Sequence, residues 1–289
     1  MSAIAPTSTA LLLPSYETAA RELSVSFGQP VPGARVHVPL RQLGPAPLVE
    51  IWPSHPDVLF GSITAGGDEP LEELSRRFYA ELIDRVRNEG FPYFLRMWNH
   101  VGGINEEDGG RERYKLFCAG RHDAFVSAGY HHDVDLPAAS AVGMRGRGLV
   151  TYFLAAREPG EQIENPRQVA AYDYPPQYGP KSPSFSRATV WNGTVFVSGT
   201  SSVVGHATVH VGDVGQQLEE TLRNIDVVVS RAIAGGGLAN VVTAKTYIRH
   251  AEHYEPIARR LEGVFARNLF VEADICRADL LLEIEAVAR

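Results

Sequence analysis

The stretch DLLLEIEAVA, residues 279–288, decides the fold, because a counterpart of it recurs earlier in the chain. The counterpart is RGLVTYFLAA, residues 147–156, which aligns without gaps at an offset of 132 residues. Both are apolar runs of the length that is typical of buried strands. Because alternate residues of a strand share a face, Glu283 and Glu285 are predicted to point away from Ile284 and its apolar neighbours.

Each of these two stretches closes a similar series of elements. In the second half, Asn192-Gly193 lies between two apolar runs and predicts a hairpin, and Asp213 is predicted to cap the helix that follows. The elements predicted next are the strand NVVTAKTYIRH, the helix EHYEPIARRLEGVFARN and the short strand FVEADI. In the first half, the corresponding order is the strand DVLFGSITAGG, the helix EPLEELSRRFYAELIDRVRNEG, the strand PYFLRMWNHV and the helix RERYKLFCAGRHDAFVS. The chain is therefore predicted to contain an internal repeat.

This repeat predicts an α+β fold of two similar halves, each a mixed β-sheet with two helices packed on one face. The halves are joined by residues 156–188, a Pro- and Tyr-rich segment that is too long for an ordinary connection. We predict a divergent N-terminal α+β domain at residues 1–165 and a second α+β domain at residues 166–289. A chain of 289 residues has room for both.

The composition argues against several classes of protein. With 44% hydrophobic and 21% charged residues, the chain is typical of a globular protein, and its net charge of −7 argues against nucleic-acid binding. Cys118 and Cys276 form neither a disulfide framework nor a metal-ligand motif. Residues 1–23 contain no predicted leader or membrane span, so a cytoplasmic protein without membrane contact is expected.

Glu283 and Glu285 are the first candidates for a functional site. At the offset of 132 residues they correspond to Thr151 and Phe153, so the acidic pair occurs in one half only. A duplicated scaffold needs the same core at both positions but not the same chemistry, which favours a function for at least one glutamate. The alternative is a solvated pair on an outer face. Beside an apolar pocket, burial would raise the pKa of Glu283, so that it holds a proton near neutral pH.

Arg121 and Arg187 are the candidate cations, because each is flanked by small and aromatic residues rather than by other charges. A guanidinium group is the natural clamp for a carboxylate. Cys276 lies seven residues before Glu283. Its sequence environment fits a buried inert thiol, and also a residue that shapes a pocket by its size.

The remaining motifs predict no metal, phosphate or catalytic-triad site. The histidines of YHHDVD, residues 130–135, are adjacent and so point in different directions, and no HxxxH or HxH pair lies nearby. No phosphate-binding loop follows a predicted strand. His206 and His210 follow the hairpin, where they either line a cleft or are ordinary loop residues.

Residues 188–289 resemble the reactive-intermediate (imine) deaminase superfamily. The matching pieces are NGTVFVSGTSS, DVGQQLEETLRNI, VVTAKTYI and LLLEIEAVA. The resemblance implies a deaminase/chorismate-mutase-like fold, and in the deaminases the sites lie between the subunits of a trimer. One departure counts against imine deamination. Where those enzymes carry the arginine that holds the substrate carboxylate, this chain has Asn268, with Arg267 one position away.

A closer resemblance covers nearly the whole chain and is to the chorismatases. It rests on LRMWNHVGGIN, ERYKLFCAGR, VAAYDYPPQYGPKSPSFSRA, WNGTVFVSGTSSVVGH and ICRADLLLEIEA. Chorismatases release pyruvate from chorismate, and they add a divergent first half to a deaminase-like second half. The resemblance therefore implies an enzyme that binds chorismate and makes 3-hydroxybenzoate and 4-hydroxybenzoate, with no metal or other cofactor.

The same resemblance implies roles for individual residues. Glu283 corresponds to the proposed general acid, which protonates the methylene carbon of the enolpyruvyl ether. Cys276 occupies a position that is a cysteine in members that make hydroxybenzoate and is smaller in members that stop at a dihydroxycyclohexadiene acid, which implies an aromatic product. The residues expected to bind substrate are Arg121, Tyr178, Arg187, Tyr114, Gly199 and Thr200.

Two other functions remain open at this point. The first is hydrolysis of an imine or enamine, as in the parent superfamily, and the second is a catalytically silent module that binds aromatic acids. The sequence also leaves open the ratio of the two hydroxybenzoates. Both a homotrimer and a monomer are consistent with it.

Overall fold

The computed structural model describes residues 23–27, 35–38, 40–42, 49–52, 55–66 and 69–289. The helices are α1 (Leu71–Asn88), α2 (Arg113–Ser127), α3 (Val214–Ala232) and α4 (Tyr254–Leu261). The strands are β1 (Leu23–Phe27), β2 (Arg35–Val38), β3 (Arg41–Gln42), β4 (Val49–Trp52), β5 (Val58–Ala65), β6 (Tyr93–Gly102), β7 (Glu107–Asp108), β8 (Arg111–Glu112), β9 (Ala138–Met144), β10 (Leu149–Ala156), β11 (Glu161–Ile163), β12 (Ala188–Trp191), β13 (Thr194–Thr200), β14 (Val203–Val204), β15 (Ala207–Thr208), β16 (Val241–Ile248), β17 (Asn268–Glu272) and β18 (Leu282–Ala288).

Two mixed sheets repeat one strand arrangement. The first has the order β5-β10-β6-β9, and the second contains β13-β18-β16-β17 within the order β11-β12-β13-β18-β16-β17-β3. In both, the second strand of the repeat is antiparallel to its two neighbours, and the third strand is parallel to the fourth. The predicted α+β fold with two similar halves is confirmed.

The sheets pack face to face, and the helices cover their outer faces. A core that includes Phe78 and Phe117 lies between the first sheet and α1 and α2, and a core that includes Ile225 and Ile284 lies between the second sheet and α3 and α4. The third core joins the two sheets, and its largest buried side chains are Trp98, Tyr152, Phe196 and Tyr247. We call this third core the intersheet layer.

The gap-free alignment of β18 with β10, at an offset of 132 residues, is wrong by one residue, because it pairs side chains that point to different faces of the two sheets. Ile284 packs toward the helices, whereas Tyr152, its counterpart at that offset, packs in the intersheet layer. A slip of one residue exchanges the two faces of a strand. The side chains of β10 that do face the second sheet are Val150, Tyr152, Leu154 and Ala156. None of these is acidic, so the acidic pair still occurs in one half only.

Helix α3 begins as predicted, since the Asp213 carboxylate accepts a 2.9 Å hydrogen bond from the backbone N–H of Gln216. Helix α4 is shorter than predicted. It ends at Leu261, and Gly263 follows with a φ of 74°, a left-handed conformation that ends helices. Strand β17 begins two residues before the predicted FVEADI strand.

The predicted domain boundary at residues 165 and 166 remains a prediction. Strand β11 precedes that boundary and pairs with β12 of the second sheet. Residues 1–22, for which neither a leader nor a membrane span is predicted, lie outside the described residues. None of the four described helices is long and apolar enough to cross a membrane.

Candidate active site

A cavity of about 400 Å³ opens beside the intersheet layer. Its walls come from α2, β9, β13, the segment between β11 and β12, and the loop that precedes β18. The sequence-predicted residues that line it are Tyr114, Arg121, Tyr178, Arg187, Gly199, Cys276 and Glu283. Residues that are separated by up to 169 positions in the chain therefore meet around one cavity.

Thr200 is the predicted residue that does not line the cavity. It is adjacent to Gly199 on β13, and neighbouring residues of a strand point to opposite faces. Its hydroxyl donates a 2.8 Å hydrogen bond to the Ser198 carbonyl. Its predicted role as a substrate contact is therefore not supported by its position.

Glu283 extends from β18 to the cavity and is only 4% exposed. Among the described residues, no donor lies within hydrogen-bonding distance of its Oε1 atom. Burial, reinforced by the nearby negative charge of Glu285, raises the pKa of Glu283 to about 8, although the Arg96 guanidinium acts in the opposite direction. Near neutral pH this carboxyl group is therefore mostly protonated.

Glu285, two residues further along the same face, has the opposite environment. Its carboxylate accepts hydrogen bonds from Arg96 (2.8 Å), Trp98 (2.7 Å), Lys245 (2.8 Å), Ser140 (2.6 Å) and Tyr247 (3.3 Å). Although burial acts to raise its pKa, Lys245, Arg96 and the hydrogen bonds outweigh burial and lower the pKa of Glu285 to about 2.

The two carboxyl groups thus differ in protonation although they lie on one strand face. Glu283 can give up a proton, whereas Glu285 is a fixed anion. Pairs of acids whose environments separate their pKa values are typical of acid–base catalytic sites. The arrangement is suited to donating a proton to a ligand in the cavity.

Gly199 allows Glu283 to reach this position. A methyl group added at Gly199 would overlap Oε1 of Glu283 and would lie 3.0 Å from the Ser140 hydroxyl. A strand glycine often marks such a close approach. The absence of a side chain at residue 199 therefore leaves the space that the Glu283 carboxyl occupies.

We predict that Gly199→Ala displaces the Glu283 carboxyl and lowers kcat by about 10²-fold, because small misplacements of a reacting group have effects of that order. Steady-state kinetics measure the loss of kcat, and the unfolding temperature of the variant measures any loss of stability separately. Gly193→Ala is not a suitable control, because Gly193 has a left-handed φ of 69°. Gly215→Ala is a better control, since an added methyl group there meets only Asp213 at 3.5 Å. Wild-type kcat in Gly199→Ala would contradict the prediction.

Arg121 is a buried cation on α2. Its guanidinium donates to the Ser184 carbonyl and lies 4.7 Å from the centre of the Phe125 ring. Its Nε atom has no hydrogen-bond partner, and no carboxylate of the described residues lies within 4.0 Å of the guanidinium. A buried, uncompensated charge is costly, so such a group typically binds an anion.

Arg187 is a second cation of the same kind. It is 5% exposed, and it donates 2.9 Å hydrogen bonds to the Val169 carbonyl and the Tyr174 hydroxyl. Its Nε atom also has no partner among the described residues. Glu164 accepts a 3.3 Å bond from the backbone N–H of Arg187, but burial raises the pKa of Glu164 to about 7. The cavity therefore holds two guanidinium groups without a firmly ionised partner.

Arg277 is a third cavity-lining arginine, which the sequence did not single out. Its guanidinium lies 4.2 Å from the centre of the Tyr178 ring and donates to the His206 carbonyl. The Tyr178 hydroxyl also lies 3.1 Å from Nδ1 of His206. Its position next to Cys276 is the feature of the sequence that could have predicted Arg277 as a site residue.

Cys276 and Tyr114 form part of the less polar wall together with Cys118. Burial raises the pKa of both thiols to about 12 and the pKa of Tyr114 well above its usual value. All three groups are therefore neutral near pH 7. This wall is suited to contact an uncharged part of a ligand rather than to supply a nucleophile.

Within residues 55–66 and 69–289, no three His, Cys, Asp or Glu side chains are grouped as metal ligands would be. Of the adjacent histidines, His132 packs edge-on against His122 with ring centres 4.6 Å apart. Asn268, which replaces the deaminase arginine, does not line the cavity. Its side-chain oxygen accepts a 3.0 Å bond from Thr246.

Comparison with known proteins gives two matching families. Residues 47–155 match the family described as chorismatase FkbO/Hyg5-like, N-terminal, and residues 180–289 match endoribonuclease L-PSP. A 3-hydroxybenzoate synthase of Streptomyces hygroscopicus is 39% identical over an alignment of 235 residues that covers 74% of this chain and 69% of the relative. A chorismatase of Streptomyces rapamycinicus is 38% identical over 82% of this chain and 76% of the relative. The crystal structure of a chorismatase is similar with a TM-score of 0.84 and 29% identity, over 97% of this chain and 99% of that one.

Proposed function

This chain belongs to the chorismatase family and is an enzyme, and we propose that it converts chorismate to 3-hydroxybenzoate and 4-hydroxybenzoate with release of pyruvate. The observation that carries the proposal is the buried Glu283 carboxyl, whose pKa burial raises to about 8, in a cavity that also holds two buried arginines. Among the described residues, neither arginine has a carboxylate within 4.0 Å of its guanidinium. Chorismate is a dianion that carries an acid-labile enol ether. The cavity offers both a proton and positive charge to it.

In the first step, Glu283 donates its proton to the methylene carbon of the enolpyruvyl group. The carbon–carbon double bond supplies the electron pair of the new C–H bond, and positive charge develops on the ether carbon and oxygen as an oxocarbenium ion. The carboxylate form of Glu283 that remains favours this cation electrostatically. A general acid typically contributes a factor of about 10²–10⁴ to the rate.

The oxocarbenium ion then leads to either product. If the bond between the ring carbon and the ether oxygen breaks, its electron pair completes the pyruvate carbonyl, and loss of a ring proton gives 4-hydroxybenzoate. If water adds to the oxocarbenium carbon instead, pyruvate leaves, the oxygen stays on the ring, and loss of the ring hydroxyl as water gives 3-hydroxybenzoate. Both routes divide the atoms of chorismate between hydroxybenzoate and pyruvate without consuming an oxidant or reductant.

The two substrate carboxylates are proposed to be held by Arg121 and Arg187, with Tyr178 beside Arg187. The Nε–H of each guanidinium has no acceptor among the described residues, and bidentate pairing with a carboxylate is the strongest interaction available to it. The neutral Cys276 and Tyr114 are proposed to contact the ring. The cysteine at position 276 supports an aromatic product, on the family resemblance.

The proposal is tested by incubating the purified protein with chorismate and separating the products by chromatography, with pyruvate assayed in the same samples. Hydroxybenzoate and pyruvate in equal amounts are expected. Chorismate without protein is the control, because chorismate decomposes slowly by itself. Intact chorismate, or pyruvate with a dihydroxycyclohexadiene acid and no hydroxybenzoate, would contradict the proposed reaction.

We also propose a domain division, a cellular location and two alternative oligomeric states for this chain. The division into domains at residues 1–165 and 166–289 is supported by the repeated strand order on either side of the connecting segment. A cytoplasmic location is expected from the sequence. The choice between a homotrimer and a monomer requires a measurement of molecular mass in solution.

A further inference from the structure

We infer that Glu285 is a positioning residue of the reaction, whose fixed negative charge occupies the cations of the intersheet layer and so leaves the neighbouring Glu283 in its acid form. The inference rests on the proposed function, because it concerns the group that donates the proton. Glu285 itself does not line the cavity. It acts through Glu283 and not on the substrate.

Two buried cations of the intersheet layer form ion pairs with Glu285. Arg96 comes from the first sheet and Lys245 from the second, and each lies 2.8 Å from a different oxygen of Glu285. Both side chains are at most 3% exposed. In the described residues, neither cation forms an ion pair with Glu283, whose Oε1 has no hydrogen-bond partner. Glu285 therefore neutralises charge that would otherwise act on Glu283.

Three neutral side chains also donate hydrogen bonds to the Glu285 carboxylate. Trp98 and Ser140, from the first sheet, and Tyr247, from the second, complete the five donors to Glu285. The Lys245 ammonium also donates a 2.9 Å hydrogen bond to the Tyr152 hydroxyl, which holds it away from the cavity. A carboxylate with this many donors stays ionised across the pH range in which enzymes work.

The internal repeat shows that the fold does not require the charge. On β10, the strand of the first sheet that corresponds to β18, the side chains that face the intersheet layer are Val150, Tyr152, Leu154 and Ala156, all uncharged. At the central strand of the second sheet, Glu283 and Glu285 occupy this face. Buried ion pairs are often no more stabilising than apolar residues of similar volume. The ionic cluster is therefore better explained by chemistry than by stability.

Other ionisable groups also face Glu283 and affect its pKa. Arg96 and Arg187 favour its ionised form, and Glu285 opposes them. Tyr247 lies opposite Glu283 on β16. Cys276, from the preceding loop, is uncharged near neutral pH because burial raises its pKa to about 12. From α2 and the loop, Arg121 and Arg277 line the same cavity. Because Glu285 opposes the arginines, its loss would shift Glu283 toward the ionised form.

The test uses two variants with opposite expected shifts. Glu285→Gln removes the negative charge that opposes Arg96 at Glu283, so the pKa of Glu283 falls. The alkaline limb of kcat/KM, expected near pH 8 in the wild type, then moves down by about one pH unit or more. Above the new limb, the activity falls by about tenfold relative to the wild type. Activity recovers as the pH is lowered. Lys245→Met removes a cation, and its alkaline limb moves up.

Infrared difference spectroscopy of the free enzyme follows the carbonyl stretch of the protonated Glu283 carboxyl, identified by its absence in Glu283→Gln. This measurement needs no turnover of substrate. If chorismate stays intact but the pKa of Glu283 still shifts in opposite directions in the two variants, the proposed function is overturned and the effect of Glu285 on Glu283 is retained. Glu220→Gln is the control, because Glu220 is also buried and paired with two arginines but lies outside the cavity. It should leave the Glu283 titration unchanged.

Shifts in opposite directions support the inference, since a merely structural effect would not reverse sign with the charge that is removed. Titration curves that coincide with the wild type, or that move in the same direction in both variants, overturn it. If Glu285→Gln does not fold, Lys245→Met carries the test alone. In that case an upward shift supports the inference, and an unchanged limb overturns it.

Discussion

Glu283→Gln is expected to abolish conversion of chorismate, with a loss of about 10²–10⁴-fold or more in kcat. Near neutral pH the Glu283 carboxyl is protonated because burial and the Glu285 charge raise its pKa to about 8. Glutamine therefore matches it in shape and net charge but has no proton to transfer to carbon. Because no charge is removed, chorismate is expected to bind with an affinity within a few-fold of wild type.

Two measurements on the same preparation check this expectation. Pyruvate release gives kcat, and calorimetric titration of Glu283→Gln with chorismate gives the dissociation constant. The Glu220→Gln variant again serves as the control for loss of a buried carboxylate. Substantial turnover by Glu283→Gln would exclude this residue as the acid. Loss of binding together with turnover would indicate that the glutamine had disrupted the cavity.

Arg187→Met is expected to weaken chorismate binding by about 2–5 kcal/mol, or roughly 30- to 4,000-fold, the usual loss when one partner of a buried charge pair is removed. The carboxylate is held both before and during proton transfer, so the effect should appear mainly in KM. The conservative Arg187→Lys variant keeps the charge but loses the planar fork. We expect it to lie between wild type and Arg187→Met.

The stability of the free protein provides an independent check on Arg187. Among the described residues, the acceptors of its guanidinium in the free protein are the neutral Val169 carbonyl and Tyr174 hydroxyl. Methionine removes a buried charge and keeps apolar contact with the neighbouring ring of Phe185. The unfolding temperature of Arg187→Met should therefore be no lower than that of wild type, as for other residues that favour function over stability. A large decrease, with unchanged KM, would assign Arg187 to the fold instead.

Local sequence patterns were sufficient to predict the main elements of the fold. The alternation of β18 placed Glu283 and Glu285 on one face, and the Asn192-Gly193 hairpin and the Asp213 cap marked the surrounding elements. The repeat was visible because its apolar runs recur in the same order. Its register was wrong by one residue, because apolar residues occupy both faces of a strand that is buried on both sides.

Glu283, Arg121 and Arg187 were predictable from their surroundings in the sequence, and the other lining residues Tyr114, Tyr178 and Gly199 only from the family resemblance. The residues around Glu285 were not, because Arg96 and Trp98 lie 189 and 187 positions away and meet it only through the packing of the two sheets. No local pattern records such a contact. Thr200 is the opposite case. The two-residue period of a strand would have shown that Gly199 and Thr200 cannot both face one cavity.

The most direct test of the central claim, that an exchangeable acid protonates the enolpyruvyl group, is turnover of chorismate in D₂O, with the pyruvate examined by proton NMR at early times. Glu283 exchanges its proton with solvent, so we predict pyruvate with one deuterium in its methyl group. Unlabelled pyruvate kept in the same solution controls for later exchange. A methyl group without deuterium would mean that its third hydrogen came from the ring of the substrate, which would contradict the assignment of Glu283 as the proton donor.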